Sequence, residues 1–175
     1  ILLSGPRGRL HESLLLTYIN AYDLWQALAL LGLRQSYSAR GDGDMIELEG
    51  DRVIIEVEYE NEEGKLTRRR VEDFIYHFDR NAHMPYNGWV YTGSHFAQTQ
   101  GGETVFLASE IENIITTWHR PVSVLDNPSK EGGDDTLYRS YEGVVPPAGT
   151  DVKVIVTPDD KYNKNRGEIE PLTGK

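Results

Sequence analysis

An alternating run of apolar and acidic residues from Val53 to Glu60 restricts the fold of this chain more than any other feature. In an extended strand, successive side chains point to opposite faces. The apolar face comprises Val53, Ile55, Val57 and Tyr59, and the acidic face comprises Glu56, Glu58 and Glu60. The run therefore predicts a strand that packs one face against the core.

A hairpin is predicted directly after this strand. Asn61-Glu62-Glu63-Gly64 supplies a turn, and the returning strand carries Arg68 and Arg70 at alternate positions. We expect these arginines to pair across the hairpin with the glutamates, each pair contributing about 0.2–1 kcal/mol. This interpretation is favoured over an anion-binding site, because a basic run alone is weak support for one.

The remaining pattern predicts an α+β domain. Leu24, Ala27, Leu28 and Leu31 have helical spacing, Asn20 is a suitable N-cap and Gly32 a suitable stop, which predicts one central, buried helix near residues 21–31. Further short strands are predicted at Leu14–Tyr18, Trp89–Ser94, Thr104–Ala108, Ile114–Trp118, Val122–Leu125 and Val152–Val156. The sheet is expected to be mainly antiparallel, in one domain over residues 1–157, followed by a polar C-terminal tail over residues 158–175.

Composition limits the chemistry. The formal net charge of -10 makes nucleic acid and anionic membrane surfaces poor partners. The chain has no cysteine, which excludes disulfides, thiolate nucleophiles and thiolate-held iron–sulfur clusters. No apolar run reaches the length of a membrane span. We expect no cofactor.

Several motifs together resemble one family. They are Gly8–Leu15, Leu24–Leu33, the charged hairpin Val53–Arg70, Trp89–Ser94 and Pro146–Val152. Their order and spacing resemble YdjY-like domains over roughly residues 8–158. These are poorly characterised bacterial domains, often found in exported proteins or lipoproteins, and Trp25 departs from the smaller or histidine-like residue more usual in them.

The resemblance implies a periplasmic or cell-surface location but no established activity. Since the sequence begins at Ile1 rather than Met, we expect that it is trimmed and that any signal or lipid-attachment segment has been removed. The leading hypothesis is a non-enzymatic module that binds a partner protein or an envelope component. The alternative is a hydrolase or metal-dependent enzyme.

The enzymatic alternative would use His11 and Glu12 with Ser94 and His95 brought from elsewhere in the chain. It requires these groups to converge in a cleft. The other interpretation places His11 and Glu12 in a buried hydrogen-bond network at the start of the helix. No Gly-x-Ser-x-Gly motif surrounds Ser94, so Gly93-Ser94 is expected to form a turn.

Two further groups of residues have candidate ligand chemistry. His77, Asp79 and His83 suit zinc, and Asp126, Asp134 and Asp135 suit calcium, but neither spacing matches a known motif and no metal is expected. Tyr86, Trp89, Tyr91 and Phe96 are candidate ligand-binding aromatics, although ordinary strand packing explains them as well. A binding module is expected to expose an apolar or aromatic patch.

Overall fold

The computed structural model describes residues 1–165. The strands are β1 (Leu3–Ser4), β2 (Leu15–Leu16), β3 (Arg52–Glu60), β4 (Leu66–Arg70), β5 (Ile75–His77), β6 (Ala82–His83), β7 (Trp89–Tyr91), β8 (Phe96–Gln98), β9 (Thr104–Phe106), β10 (Asn113–Thr116), β11 (Leu125–Asp126), β12 (Tyr138–Ser140) and β13 (Val152–Pro158). The α-helices are α1 (Ala21–Leu30), α2 (Leu107–Ile111) and α3 (Asp160–Asn165), and short 3-10 helices span Leu10–Glu12, Val71–Phe74 and Lys130–Gly133.

The main sheet has eight strands and is mainly antiparallel, so the predicted α+β class is confirmed. Its order is β13-β3-β7-β11-β10-β1-β2, and β4 pairs with β3 beside β7. Only the β1–β2 and β10–β11 pairs of this sheet are parallel within residues 1–165. Two smaller sheets, β12-β5-β6 and β8-β9, complete the β-structure of the described residues.

The predicted strand and hairpin are confirmed. The apolar face of β3 is buried, with Val53 and Ile55 at 0% exposure. The hairpin pairs Glu58 with Arg68 in register, but the guanidinium of Arg68 reaches diagonally to Glu56, at 2.5 Å. Arg70 turns away from the β3 glutamates and pairs with Glu72.

The prediction that the helix is central and buried is not confirmed. The side chain of Asn20 caps α1 as expected, by accepting a hydrogen bond from the backbone of Tyr22 at 2.9 Å. However, only Ala21 and Leu28 of α1 are buried, and Leu30 is 88% exposed. The apolar residues surround more of the helix than the sheet can cover, so α1 lies at the surface and packs along one narrow stripe.

The end of the described chain packs against the start of β3. The predicted boundary between residues 157 and 158 falls at the last residues of β13. In α3, the ring of Tyr162 lies 3.9 Å from the guanidinium carbon of Arg52, and the side chain of Asn163 donates to the carbonyl of Arg52. Residues 166–175 of the predicted tail lie outside the described residues. No helix within residues 1–165 has the length and apolar character to cross a membrane.

Candidate functional site

His11 and Glu12 lie on the exposed 3-10 helix Leu10–Glu12. Glu12 pairs with Arg9 at 3.2 Å and with His11 at 3.3 Å, and the His11 side chain is 79% exposed. Partial burial acts to raise the pKa of Glu12, but Arg9 and His11 outweigh it and hold the pKa below its usual value. The prediction of a buried network here is wrong, because a short 3-10 turn projects these side chains into solvent instead of into the core.

Ser94 and His95 lie in the connection between β7 and β8. Ser94 is buried with φ of 53°, follows Gly93 with φ of 77°, and its hydroxyl accepts a hydrogen bond from the backbone of Ala108 at 3.2 Å. This supports the predicted turn. His95 is exposed. Across residues 1–165, no hydrogen bond or ion pair joins His11 or Glu12 to Ser94 or His95.

The four candidate aromatics divide into core and surface residues. Trp89 and Tyr91 are 0% and 1% exposed, so they pack in the core and cannot contact a ligand at the surface. The hydroxyl of Tyr91 donates to the carbonyl of Trp25 at 3.1 Å, and burial raises the pKa of Tyr91 to about 12. Phe96 is half exposed and packs with Tyr22, Trp25 and Phe106 beside α1. Tyr86 contacts none of these rings; it lies in the loop after β6 and stacks on His83 of the small β12-β5-β6 sheet.

The candidate zinc residues point in different directions. His77 is fully buried and contacts Glu131 through Nε2 at 3.2 Å. His83 pairs in register with Tyr76, the neighbour of His77, so the two imidazoles lie on opposite faces of the sheet. Asp79 is exposed in the following turn. The three side chains therefore do not converge.

The outer surface of the β12-β5-β6 sheet collects aromatic and cationic side chains. Tyr76 of β5 is flanked in register by Arg139 of β12 and His83 of β6, and directly opposed residues of antiparallel strands share a face. The aromatic face, as we call it, consists of these residues with three rings beside them, Phe78, Tyr86 and Tyr141.

Three rings and one guanidinium form the centre of the aromatic face. The ring of Tyr76 lies 5.5 Å from that of Phe78, at an interplanar angle of 83°, and 5.1 Å from that of Tyr141, at 63°. The guanidinium carbon of Arg139 lies 4.4 Å from the ring centre of Phe78 and 5.0 Å from that of Tyr76. Such cation–π contacts contribute about 0.5–1 kcal/mol at exposed sites and hold the guanidinium in place.

Arg139 has no acidic partner in the part of the chain that the structure describes. Its guanidinium makes no hydrogen bond and no ion pair there. Phe78, beneath it, is 45% exposed. The centre of the aromatic face thus presents free N–H donors next to accessible apolar surface.

The other end of the aromatic face is built around Tyr86. Its ring stacks on His83 at 4.6 Å, and its hydroxyl donates to the carboxylate of Asp73. This hydrogen bond, together with slight burial, raises the pKa of Tyr86. The guanidinium of Arg70 lies 5.2 Å from the Tyr86 ring and is already paired with Glu72, so it is not free to bind a ligand at this end.

The inner surface of the same sheet is fixed to the domain. The ring of His77 lies 5.0 Å from that of Tyr138, opposite it in register, and Glu131 bonds His77 from the 3-10 helix Lys130–Gly133. Burial acts to raise the pKa of Glu131, but His77 and Arg80 outweigh it and lower that pKa. The aromatic face is therefore carried by a well-anchored sheet.

The comparison with protein families decides the relationship suggested by the motifs. The model of the YdjY domain matches residues 4–157. The chain belongs to the YdjY domain family. Comparison with curated proteins and with solved structures found no match.

This YdjY domain also contains a buried polar network that the sequence did not reveal as a unit. The carboxylate of Asp126 accepts hydrogen bonds from the backbone of Arg120 and Asn127 and from the hydroxyls of Thr116 and Ser123. These bonds close the short connection between the parallel strands β10 and β11. Burial raises the pKa of Asp126 to about 7, against the lowering effect of His119 and of these donors. Asp126 is therefore enclosed by structure and is not free to bind calcium.

His119 is the second buried member of this network. Nδ1 lies 2.6 Å from the carbonyl of Asp44 and Nε2 lies 2.9 Å from that of Asn127. Carbonyl oxygens only accept, so a ring nitrogen that carries a proton donates to the carbonyl beside it. Gly132 is needed beside it, because a Cβ at that position would come within 2.5 Å of Nε2. The geometry indicates a role in holding loops together.

Sequence reasoning identified Tyr86 of the aromatic face but missed its centre. Tyr76 and Phe78 are separated from Arg139 and Tyr141 by about sixty residues and meet only through the β5–β12 pairing. The alternation of Tyr76 and Phe78 around His77 was the available signal.

Proposed function

We propose that this YdjY domain is a non-enzymatic binding module that holds a partner protein on its aromatic face and acts outside the cytoplasm. The observation that carries the proposal is the ring cluster of Tyr76, Phe78 and Tyr141 with the unpaired guanidinium of Arg139. Tyrosine and arginine are enriched among the residues that dominate binding energy in protein interfaces.

The angles between the rings favour a protein partner over a flat ligand. The rings of Phe78 and Tyr141 stand at 83° and 63° to that of Tyr76, so they do not form a continuous plane. A flat ligand that spans more than one ring would need such a plane to stack along the face. Side chains of another protein fit between steeply inclined rings, as they do in a protein core.

The positions of the candidate catalytic groups count against the enzymatic alternative. His11 and Glu12 are exposed on a 3-10 turn, whereas Ser94 is buried as a backbone-bonded turn residue. A general base needs to reach the proton that it abstracts, at about 2.6–3.2 Å or through one water molecule. Within residues 1–165, no hydrogen bond or ion pair joins His11 or Glu12 to Ser94.

The extracytoplasmic location rests on the family resemblance. Its test is protease treatment of intact source cells that produce the full-length, epitope-tagged protein. Loss of the tagged protein from intact cells, or from cells with a permeabilised outer membrane only, supports export. Protection until the cytoplasmic membrane is lysed contradicts it.

The binding role is tested by selection from a phage-displayed library of random twelve-residue peptides. We expect the wild-type domain to enrich a peptide family, and Phe78→Ala to abolish that enrichment. Leu66→Ala is the matched control, since Leu66 is 66% exposed and lies on the β3–β4 hairpin, outside the aromatic face.

Two results would overturn the proposal. One is the absence of any enriched peptide that depends on Phe78. The other is wild-type turnover of an esterase, glycosidase or peptidase substrate that is lost in Glu12→Gln at unchanged stability, which would return Glu12 to a catalytic role.

A further inference from the structure

We infer that Arg139 makes the aromatic face selective for a carboxylate, so that the partner segment carries an aspartate or glutamate side chain next to an apolar one. The inference rests on the proposed function and adds the chemistry that the face recognises. The preference for a carboxylate follows from the ring contacts that hold Arg139 and from its lack of an acidic partner within residues 1–165.

The guanidinium of Arg139 is placed before any ligand arrives. It lies over two rings, at 4.4 Å from the centre of Phe78 and 5.0 Å from that of Tyr76. Neither ring supplies an oxygen acceptor, and the N–H donors of Arg139 have no hydrogen-bond partner within residues 1–165. Those donors match the two oxygens of a carboxylate, which arginine binds in a bidentate manner.

Three other arginines around this sheet and the neighbouring hairpin have glutamate partners. Arg68 pairs with Glu56 and Arg70 with Glu72, each at 2.5 Å, and Arg80 pairs with Glu131 at 3.5 Å. Arg139 has no such partner within residues 1–165. Arg69 on β4 has none there either, but it contacts no aromatic ring, whereas Arg139 is held over two.

Two acidic residues close in sequence to Arg139 or to the ring beneath it do not supply the missing partner. Within the described residues, Glu142 forms no ion pair with it, and neither does Asp79 beside Phe78. The chain contains 28 acidic residues against 18 basic ones, so an arginine without an acidic partner is not explained by a shortage of carboxylates. Because Arg139 is also held over two aromatic rings, we expect the charge that complements it to come from a partner.

The surroundings of Arg139 define the rest of the ligand. Phe78 is 45% exposed and offers apolar contact directly beside the guanidinium. The net charge of -10 disfavours a strongly polyacidic partner, because the domain as a whole would repel it. One acidic side chain with an adjacent apolar side chain fits both conditions.

The experiment measures binding of fluorescein-labelled peptides from the library selection by anisotropy. Displayed peptides are fused through their C-terminus, so any carboxylate that they present to the domain comes from a side chain. We expect an acidic residue beside an apolar one in the enriched family. Arg139→Gln is expected to weaken binding about 10- to 100-fold, the range for a hydrogen bond to a charged group.

Controls separate charge from folding. Arg69→Gln, a change of another exposed arginine that lies on β4, is expected to leave binding unchanged. Arg139→Lys keeps the charge but not the planar donor pair, so it should fall between wild type and Arg139→Gln. If Arg139→Gln does not fold, the peptide with glutamine in place of its acidic residue tests the same contact on the wild-type domain.

Each outcome decides the inference. If the enriched peptides are neutral and their binding depends on Phe78 but not on Arg139, the carboxylate inference is overturned and the binding role is retained. If no enriched peptide depends on Phe78, both the inference and the binding role are overturned. Binding of an acidic oligosaccharide from a glycan array in place of peptides overturns the inference as well. Loss of binding in both Arg139→Gln and the amide peptide, without a further loss when the two are combined, establishes it.

Discussion

Arg70 and Glu72 form an ion pair in which the carboxylate is enclosed and the guanidinium reaches the surface. Nη2 of Arg70 lies 2.5 Å from Oε1 of Glu72, whose side chain has 0% exposure, whereas that of Arg70 retains 24%. Nε of Arg70 donates to the second carboxylate oxygen at 3.0 Å. The enclosed charge of Glu72 therefore depends on one arginine.

We predict that Arg70→Ala lowers the free energy of unfolding by about 3–5 kcal/mol, because it leaves a buried charge without its partner. Urea denaturation measures the change. Arg68→Ala is the matched control on the same strand, since the Arg68 side chain is 47% exposed in its pair with Glu56. An exposed pair contributes only about 0–1 kcal/mol. Equal losses in the two variants would contradict the prediction.

A second prediction concerns the narrow buried stripe of α1. Leu28 is 1% exposed, so Leu28→Ala should cost about 2–5 kcal/mol through lost burial and the cavity left behind. Leu30→Ala, two positions along at 88% exposure, should change stability by no more than about 0.5 kcal/mol. Denaturation midpoints that shift alike would mean that α1 packs differently from the structure.

A third prediction concerns the buried carboxylate of Asp126. Asp126→Asn removes acceptor capacity from four donors that remain buried, and we expect a loss of about 1–3 kcal/mol. Chemical denaturation at fixed pH measures it. A variant as stable as wild type would show that these donors find other partners.

The same carboxylate predicts a pH trend. The pKa of Asp126 is raised by burial to about 7 in the folded chain, above its usual 3.8, so folding favours the protonated form. Its stabilising contribution is complete below about pH 4 and is lost as the pH rises towards 7. Unfolding free energies across this range should therefore show a larger cost of Asp126→Asn at pH 4 than at pH 7. Asp134→Asn should not share this trend, because hydrogen bonds from Thr136 lower the pKa of Asp134.

A fourth prediction concerns Glu12. Its carboxylate pairs with Arg9 at the surface, so Glu12→Gln should alter stability by no more than about 0.5 kcal/mol. The measurement is urea denaturation beside wild type. A loss above 1 kcal/mol would indicate a buried role that this geometry does not support.

Local patterns in the sequence were sufficient for the β3–β4 hairpin. The alternation from Val53 to Tyr59 and the turn at Gly64 depend on neighbouring residues only, and the structure has both. The position of α1 followed from the same kind of signal. Its burial did not, because the number of apolar faces on a helix does not say how much of it the sheet will cover, and Leu30 remains in solvent.

The centre of the aromatic face could not be predicted from local patterns, and the reason is strand register. Arg139 reaches Tyr76 only because β12 pairs with β5 in one particular register. A shift of one residue would turn Arg139 towards the core and Tyr138 outwards. The register between strands about sixty residues apart is set by the whole fold, so no local sequence pattern predicts it.

The pairing of β3 with β13 has a consequence for co-translational folding. β3 is complete at Glu60, but the strand that covers its second edge begins only at Val152, 92 residues later. At a synthesis rate of roughly 5–20 residues per second, this edge of β3 stays unpaired for about 5–20 s. During this interval the nascent hairpin carries an apolar strand with unpaired backbone groups, which is the kind of surface that invites intermolecular pairing or chaperone binding.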